Sequence, residues 1–242
     1  MKSIIRTAIL GISIILSVVV LSFAITYFTR AQDTVSVTGL GEATFTSDLI
    51  VWNGYIGVEA QDPLEGYKQI AAQQEKLAQY LSEGGVADSE VTFNNVTIDK
   101  EYESVYANGN YTGQRFTGYS VTQRFEVTST RVDEVEALSR QVSSLIAKGV
   151  NIASFAPEYY CTRLDEVKLS LIEKASQDAY QRASNIAKNA GGRLGKPTTA
   201  RLGVFQITSP NGNEEYSYGG CFNTSSKEKK ARITVRMEYR LK

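Results

Sequence analysis

The chain has 242 residues, 42% of them apolar, and its 26 Lys and Arg balance 26 Asp and Glu. The apolar share supports a packed core. The zero net charge argues against nucleic acid as main partner, because phosphate binding needs a surplus of cations on one face. Histidine is absent, which removes the commonest general base, triad member and metal ligand.

The first thirty residues set the compartment. Lys2 and Arg6 precede an uncharged stretch, Thr7 to Thr29, rich in Ile, Leu, Val and Phe. As a helix it is long enough to cross roughly 30 Å of hydrocarbon. It exceeds the usual ~7–15 apolar residues of a cleavable signal, so an uncleaved inner-membrane anchor over residues 7–29 is expected. Ser22-Phe23-Ala24 and Thr29-Arg30-Ala31 remain weak cleavage sites, and a soluble periplasmic form is the alternative. The basic flank stays cytoplasmic and the remainder is exported. Residues 1–31 thus form an anchor or signal segment, and residues 32–242 one α+β domain.

Alternation begins at Val35 and Val37, passes Gly39-Leu40-Gly41, and resumes with Ile50, Trp52, Ile56 and Val58. Period two with β-branched and aromatic residues predicts strands with one buried face. Asp62-Pro63-Leu64-Glu65 predicts a helix start, and Gly84-Gly85 its end. Strands follow from Val91 to about Val105 and from Phe116 to Val127, with a tight turn at Asn108-Gly109-Asn110 between them. Thr130-Arg131-Val132-Asp133 predicts a second capped helix, ending near Gly149. Asn151 to Cys161 reads as one strand. Thr162-Arg163-Leu164-Asp165 opens the longest helix, whose stripe of Leu171, Ala175, Ala179, Ala183 and Ala187 runs to Gly191-Gly192. Pro197 begins a last section with a strand near Val204 to Ile207 and a polar loop from Ser209 to Ser226. In the final strand Ile233, Val235, Met237, Tyr239 and Leu241 alternate with Arg232, Thr234, Arg236, Glu238 and Arg240. The pattern predicts α+β: antiparallel strands in a sheet packed with three helices, one long and Ala-rich, after the N-terminal helix.

This succession resembles the SIMPL domain family, which includes periplasmic oxidative-stress-defence, YggE-like proteins. Similar blocks are Val35-Ser36-Val37-Thr38-Gly39-Leu40-Gly41, Leu81-Ser82-Glu83-Gly84-Gly85-Val86, Gly118-Tyr119-Ser120-Val121, Lys148-Gly149-Val150-Asn151 and Ala187-Lys188-Asn189-Ala190-Gly191-Gly192. Ser47-Asp48 departs from the family's usual Pro-Asp, and the anchor replaces a short signal. The resemblance implies an exported protein loosely tied to envelope or oxidative stress, in some members oligomeric. It carries no agreed catalytic residues.

The residues themselves point the same way. Gly39-Leu40-Gly41 lacks the third glycine and the following helix of a dinucleotide loop. Asp133-Glu134 and Asp165-Glu166 fall in first helical turns, where they complement the dipole. No Gly-x-Ser-x-Gly occurs. Cys161 and Cys221 show no C-x-x-C spacing, so a zinc or thioredoxin-like centre is not expected. They are either a disulfide in an oxidising compartment or two small buried residues. No enzyme activity, metal or cofactor is expected. The candidate interaction surface is Tyr102, Tyr106, Tyr111 and Tyr119 around the Asn-Gly turn, because tyrosine gives large contact area at low entropic cost. Arg232, Arg236 and Arg240 form a second candidate, for acidic partners or lipid headgroups. In both cases a half-buried or solvated sheet face is the plainer reading. The expected protein is a non-enzymatic envelope protein that self-associates; the alternative is a periplasmic binding module or holdase for peptides or damaged proteins.

Overall fold

The computed structural model describes residues 2–30, 33–212 and 217–242. A helix, α1 (Lys2–Arg30), forms over the expected N-terminal segment. Every residue from 11 to 26 is exposed, and none of these belongs to a core cluster. Among the described residues no helix is long and apolar enough to cross a membrane.

The body is α+β, but its strands form two sheets where one was expected. In the first, β1 (Thr34–Thr46) pairs along its whole length with the last strand, β11 (Glu228–Leu241), so the two ends of the body are zipped together. The other edge of β11 takes β8 (Leu194–Leu202) and then β9 (Gln206–Thr208). The short β10 (Cys221–Phe222) joins β9 in a parallel pairing, the exception in an otherwise antiparallel sheet. The second sheet is built from residues 49–160. Its centre is β2 (Leu49–Ala60) against β5 (Asn110–Ser129), flanked on one side by β3 (Val91–Phe93) and β4 (Thr97–Ala107). On the other side lie β6 (Ile152–Ser154) and β7 (Glu158–Tyr160).

Each sheet buries one face under helices. The second packs on α2 (Pro63–Glu83) and α3 (Val132–Gln141), with Ile50, Trp52, Ile56, Val121, Phe125, Ile70, Leu77 and Leu145 among the buried residues. Trp52 meets the Phe125 ring edge-on at 5.3 Å and donates its indole N–H to Ser154 Oγ at 2.9 Å. The first sheet packs on α4 (Leu164–Asn189) through the expected Ala stripe, Ala175, Ala179, Ala183 and Ala187, all buried. A small-residue stripe lets the strand come close. A Cβ on Gly39 would lie 2.0 Å from the Ala175 carbonyl oxygen, and one on Gly41 2.2 Å from that of Leu171. Close backbone approach is thus the role of Gly39-Leu40-Gly41. Asp178 of α4 accepts the Leu40 N–H at 2.8 Å, a donor that the ladder to β11 leaves unused.

Three local expectations are corrected. The helix after β5 is capped at Arg131, without a side-chain cap, and its second half tightens to a 3-10 turn over Val142–Lys148. The strand expected over Asn151 to Cys161 is broken into β6 and β7 around Pro157. The Pro197 segment is not a strand-free approach to Val204: it lies inside β8, at an irregularity in its pairing to β11. A proline is tolerated there because β8 is largely exposed and lies at a sheet edge.

The two halves meet where the chain crosses between them. Asp48, between β1 and β2, accepts the Thr162 N–H at 2.7 Å and its hydroxyl at 2.9 Å. Lys227, just before β11, pairs with Asp133 and Glu136 of α3, and the Tyr159 N–H reaches the Thr224 carbonyl at 2.7 Å. Burial disfavours the charged form of Asp48, but the Thr162 hydrogen bonds and the Arg163 charge outweigh it and hold the carboxyl below its ordinary value. Glu90 behaves alike. Burial opposes its charge, and hydrogen bonds from Ser129, the Ala87 N–H and Arg131 prevail. A depressed folded-state pKa stabilises at pH above the unfolded value, about 4, and that contribution is lost as pH falls through the folded value. Thermal stability is therefore expected to hold from pH 7 down to about 5 and then to fall. In Asp48→Asn the drop between pH 5 and pH 2.5 should be shallower, as read by circular dichroism melts; an unchanged slope would exclude Asp48 as a contributor.

Candidate interaction surface

The tyrosines of the Asn-Gly segment lie on a projecting two-stranded arm. Asn108 and Gly109 both take positive φ, 56° and 80°, as a two-residue type I′ turn requires, and Ala107 pairs with Asn110 across it. The turn thus folds β4 back onto the first half of β5. All eleven residues of β4 are exposed, and from Asn110 to Phe116 only Gly113 is less than exposed. The register shifts twice, between Glu101 and Tyr102 and between Val105 and Tyr106, leaving Thr117 and Thr112 as extra residues on β5. Such bulges bend and twist a ribbon. Here they set aromatic pairs on one face.

Tyr106 stands opposite Tyr111 with ring centroids 5.9 Å apart, and Tyr102 opposite Phe116 at 5.8 Å, both edge to face. Phe116 reaches Tyr119 at 5.2 Å. Only Tyr119, half-buried, packs onto the core of the second sheet. Towards the tip the rings rise into solvent: Tyr102 is 51% exposed, Tyr111 58% and Tyr106 65%. Ile98 and Val105 on β4 and Phe116 on β5 add exposed apolar surface. The structure therefore brings Tyr102, Tyr106, Tyr111 and Tyr119 together and adds Phe116. In the sequence that ring, two residues before Gly118, reads only as a strand end. Across the arm's other face Arg115 pairs with Glu103 at 2.7 Å. The outer edge of β4 has no strand partner among the described residues.

The arginines lie elsewhere, on the face of β11 turned away from α4. Arg232 pairs with Glu42 at 3.2 Å, beside Lys230 at 3.3 Å from the same carboxylate. Arg236 donates through Nε to Ser36 Oγ at 3.3 Å, and Arg240 is exposed. The tyrosines and arginines thus make two separate surfaces on two sheets. Cys161 and Cys221 are free, half-buried thiols. Their neighbours Tyr160 and Phe222 are in ring contact at 6.3 Å, which brings the two segments carrying them together.

Two largely antiparallel sheets, one backed by α4 and the other by α2 and α3, the latter extended into a bare aromatic ribbon, define an α+β body with a built projection. Residues 35–239 match the family model SIMPL, protein of unknown function (DUF541), and the chain belongs to that family. No curated protein matches it.

Proposed function

We propose that the chain is a non-enzymatic cell-envelope protein, tethered by α1 to the outer face of the inner membrane, whose body associates with further copies through the aromatic arm. The carrying observation is the exposure of the arm: a row of edge-to-face rings with nothing among the described residues covering it. Contiguous exposed apolar surface of this kind marks contact sites. The open edge of β4 offers backbone donors and acceptors beside the rings, so a partner strand finds a ladder as well as a surface.

The tether is supported by the uncharged run from Thr7 to Thr29 and by the outward exposure of every described side chain of α1. Cleavage after the apolar run, giving a soluble periplasmic body, is the alternative. Confinement at a membrane raises the effective concentration of like bodies, which favours a second copy over a scarce client. A role in envelope or oxidative stress fits an exported module of this family. It acts by contact and uses no metal or cofactor.

A second reading draws on the same arm, because an open edge strand with flanking rings also suits an extended peptide. Under that reading the protein is a holdase. A photo-crosslinking phenylalanine analogue at position 106 of the full-length, membrane-resident chain separates the two. Self-association predicts adducts at discrete multiples of the 26.6 kDa chain. A heterogeneous smear of adducts to other proteins, without those multiples, would refute it in favour of the holdase.

A further inference from the structure

The outer face of the first sheet holds an arrangement that folding alone does not favour. Arg201 of β8 and Arg236 of β11 are direct cross-strand partners. Such partners place their Cβ atoms about 4.5–5.5 Å apart, where like charges repel. Neither arginine ion-pairs with a carboxylate among the described residues. Ser36, Thr199, Arg201, Arg236 and Glu238 line a cleft of about 270 Å³ here. Glu238 is the acid in it, and its carboxylate is engaged by the hydroxyls of Thr34 at 2.7 Å and Thr199 at 3.4 Å. Two cations therefore face one hydroxyl-bonded acid in an open, polar cleft, and α4 covers only the opposite face of the sheet.

The position of the cleft says what the charges are for. Arg240 stands opposite Thr34, the first residue of β1, and Arg236 opposite Thr38. Four Cα steps separate Arg30, the end of α1, from Thr34, a reach of at most about 14 Å. Arg193 and Lys242 close the same end of the sheet through paired backbone hydrogen bonds of 2.7 and 2.8 Å. The cationic face is thus the part of the body next to the tether.

We infer that the Arg201–Arg236 cleft binds the phosphate of an anionic phospholipid headgroup, each guanidinium donating to the phosphate oxygens, and so seats the open face of the first sheet on the bilayer. Guanidinium forks match phosphate geometry, and a shared anion converts the mutual repulsion of two arginines into attraction to one group. The inference rests on the membrane reading of α1.

The test uses the full-length chain in nanodiscs of phosphatidylcholine alone or with 30% phosphatidylglycerol, labelled with the arginine reagent phenylglyoxal and read by peptide mass spectrometry. Labelling at Arg201 and Arg236 is expected to fall at least threefold in the anionic discs, to recover in 0.5 M NaCl, and to be unchanged at Arg115 on the arm. In Arg201→Gln the protection of Arg236 should be lost. Equal labelling in both discs would overturn the proposal while leaving the tether intact, whereas a chain that enters neither disc refutes the tether. Full protection in neutral discs by millimolar inorganic phosphate would assign the cleft to a free anion and overturn the lipid reading.

Discussion

Gly39→Ala is expected to cost the body about 3–5 kcal/mol, above the roughly 1–3 kcal/mol usual for overpacking because the clash is with helix backbone. The added methyl would sit 2.0 Å from the Ala175 carbonyl oxygen and 2.5 Å from the Ala179 amide nitrogen. Both are backbone atoms of the interior of α4, so no side chain can swing aside; the helix must lift off the sheet. Lifting it separates the Ala stripe from β1 and β11, which together hold the two ends of the body. For a domain of this size the cost corresponds to a melting temperature lower by roughly 10 °C. Gly57→Ala is the matched control. It also lies within a strand, but its nearest non-neighbour atom would be 3.5 Å away, an ordinary contact, and its change should stay within about 1 kcal/mol. Equal, small effects at both positions would mean that the strand does not rest on the helix backbone.

Replacing Tyr102, Tyr106, Tyr111 and Phe116 together by serine is expected to leave that stability nearly untouched and to weaken self-association by at least tenfold. None of the four belongs to the buried core, and all stand out on the ribbon beyond Tyr119. Removing exposed surface rings costs a fold little, since isolated surface changes fall within about 0.5 kcal/mol each. Removing them from a contact surface removes its anchors, which are typically aromatic and worth 2 kcal/mol or more apiece. Melts and sedimentation of the same samples separate the two effects. A variant that melts well below the parent would show that the rings hold the body together; one that sediments like the parent would show that the arm is not the contact surface.

Much of this was legible in the sequence where a period survives locally. The alternation of Ile233, Val235 and Tyr239 and the spacing of Ala175 to Ala187 name the buried faces of β11 and α4 correctly, because each follows from one element's own geometry. Sheet membership does not. β1 and β2 read as successive strands of one sheet, yet only Ser47 and Asp48 separate strands that pair with partners far apart in the chain. That choice is made by long-range packing. β8 has no signature in the sequence because Gly195-Lys196-Pro197 and its polar neighbours show no alternation; it is a strand because β11 offers it a ladder. For the same reason the partner of Arg236 could not be found, while Arg232, Arg236 and Arg240 on one readable strand could. The arm was visible from its tyrosines and its Asn-Gly turn. Its projection was not, because a β4 exposed on all sides looks in sequence like any polar strand of a sheet. The joint at Asp48, Thr162, Lys227 and Asp133 left no local signal, since its members come from four distant segments.

Sedimentation velocity of the full-length chain, extracted in a mild detergent and followed across micromolar concentrations, bears most directly on whether this molecule works by meeting its own kind. A protein-only mass at a multiple of the single chain, reduced to one chain when the arm's rings are replaced, is the predicted result. A single-chain mass for the unaltered protein throughout that range would contradict it.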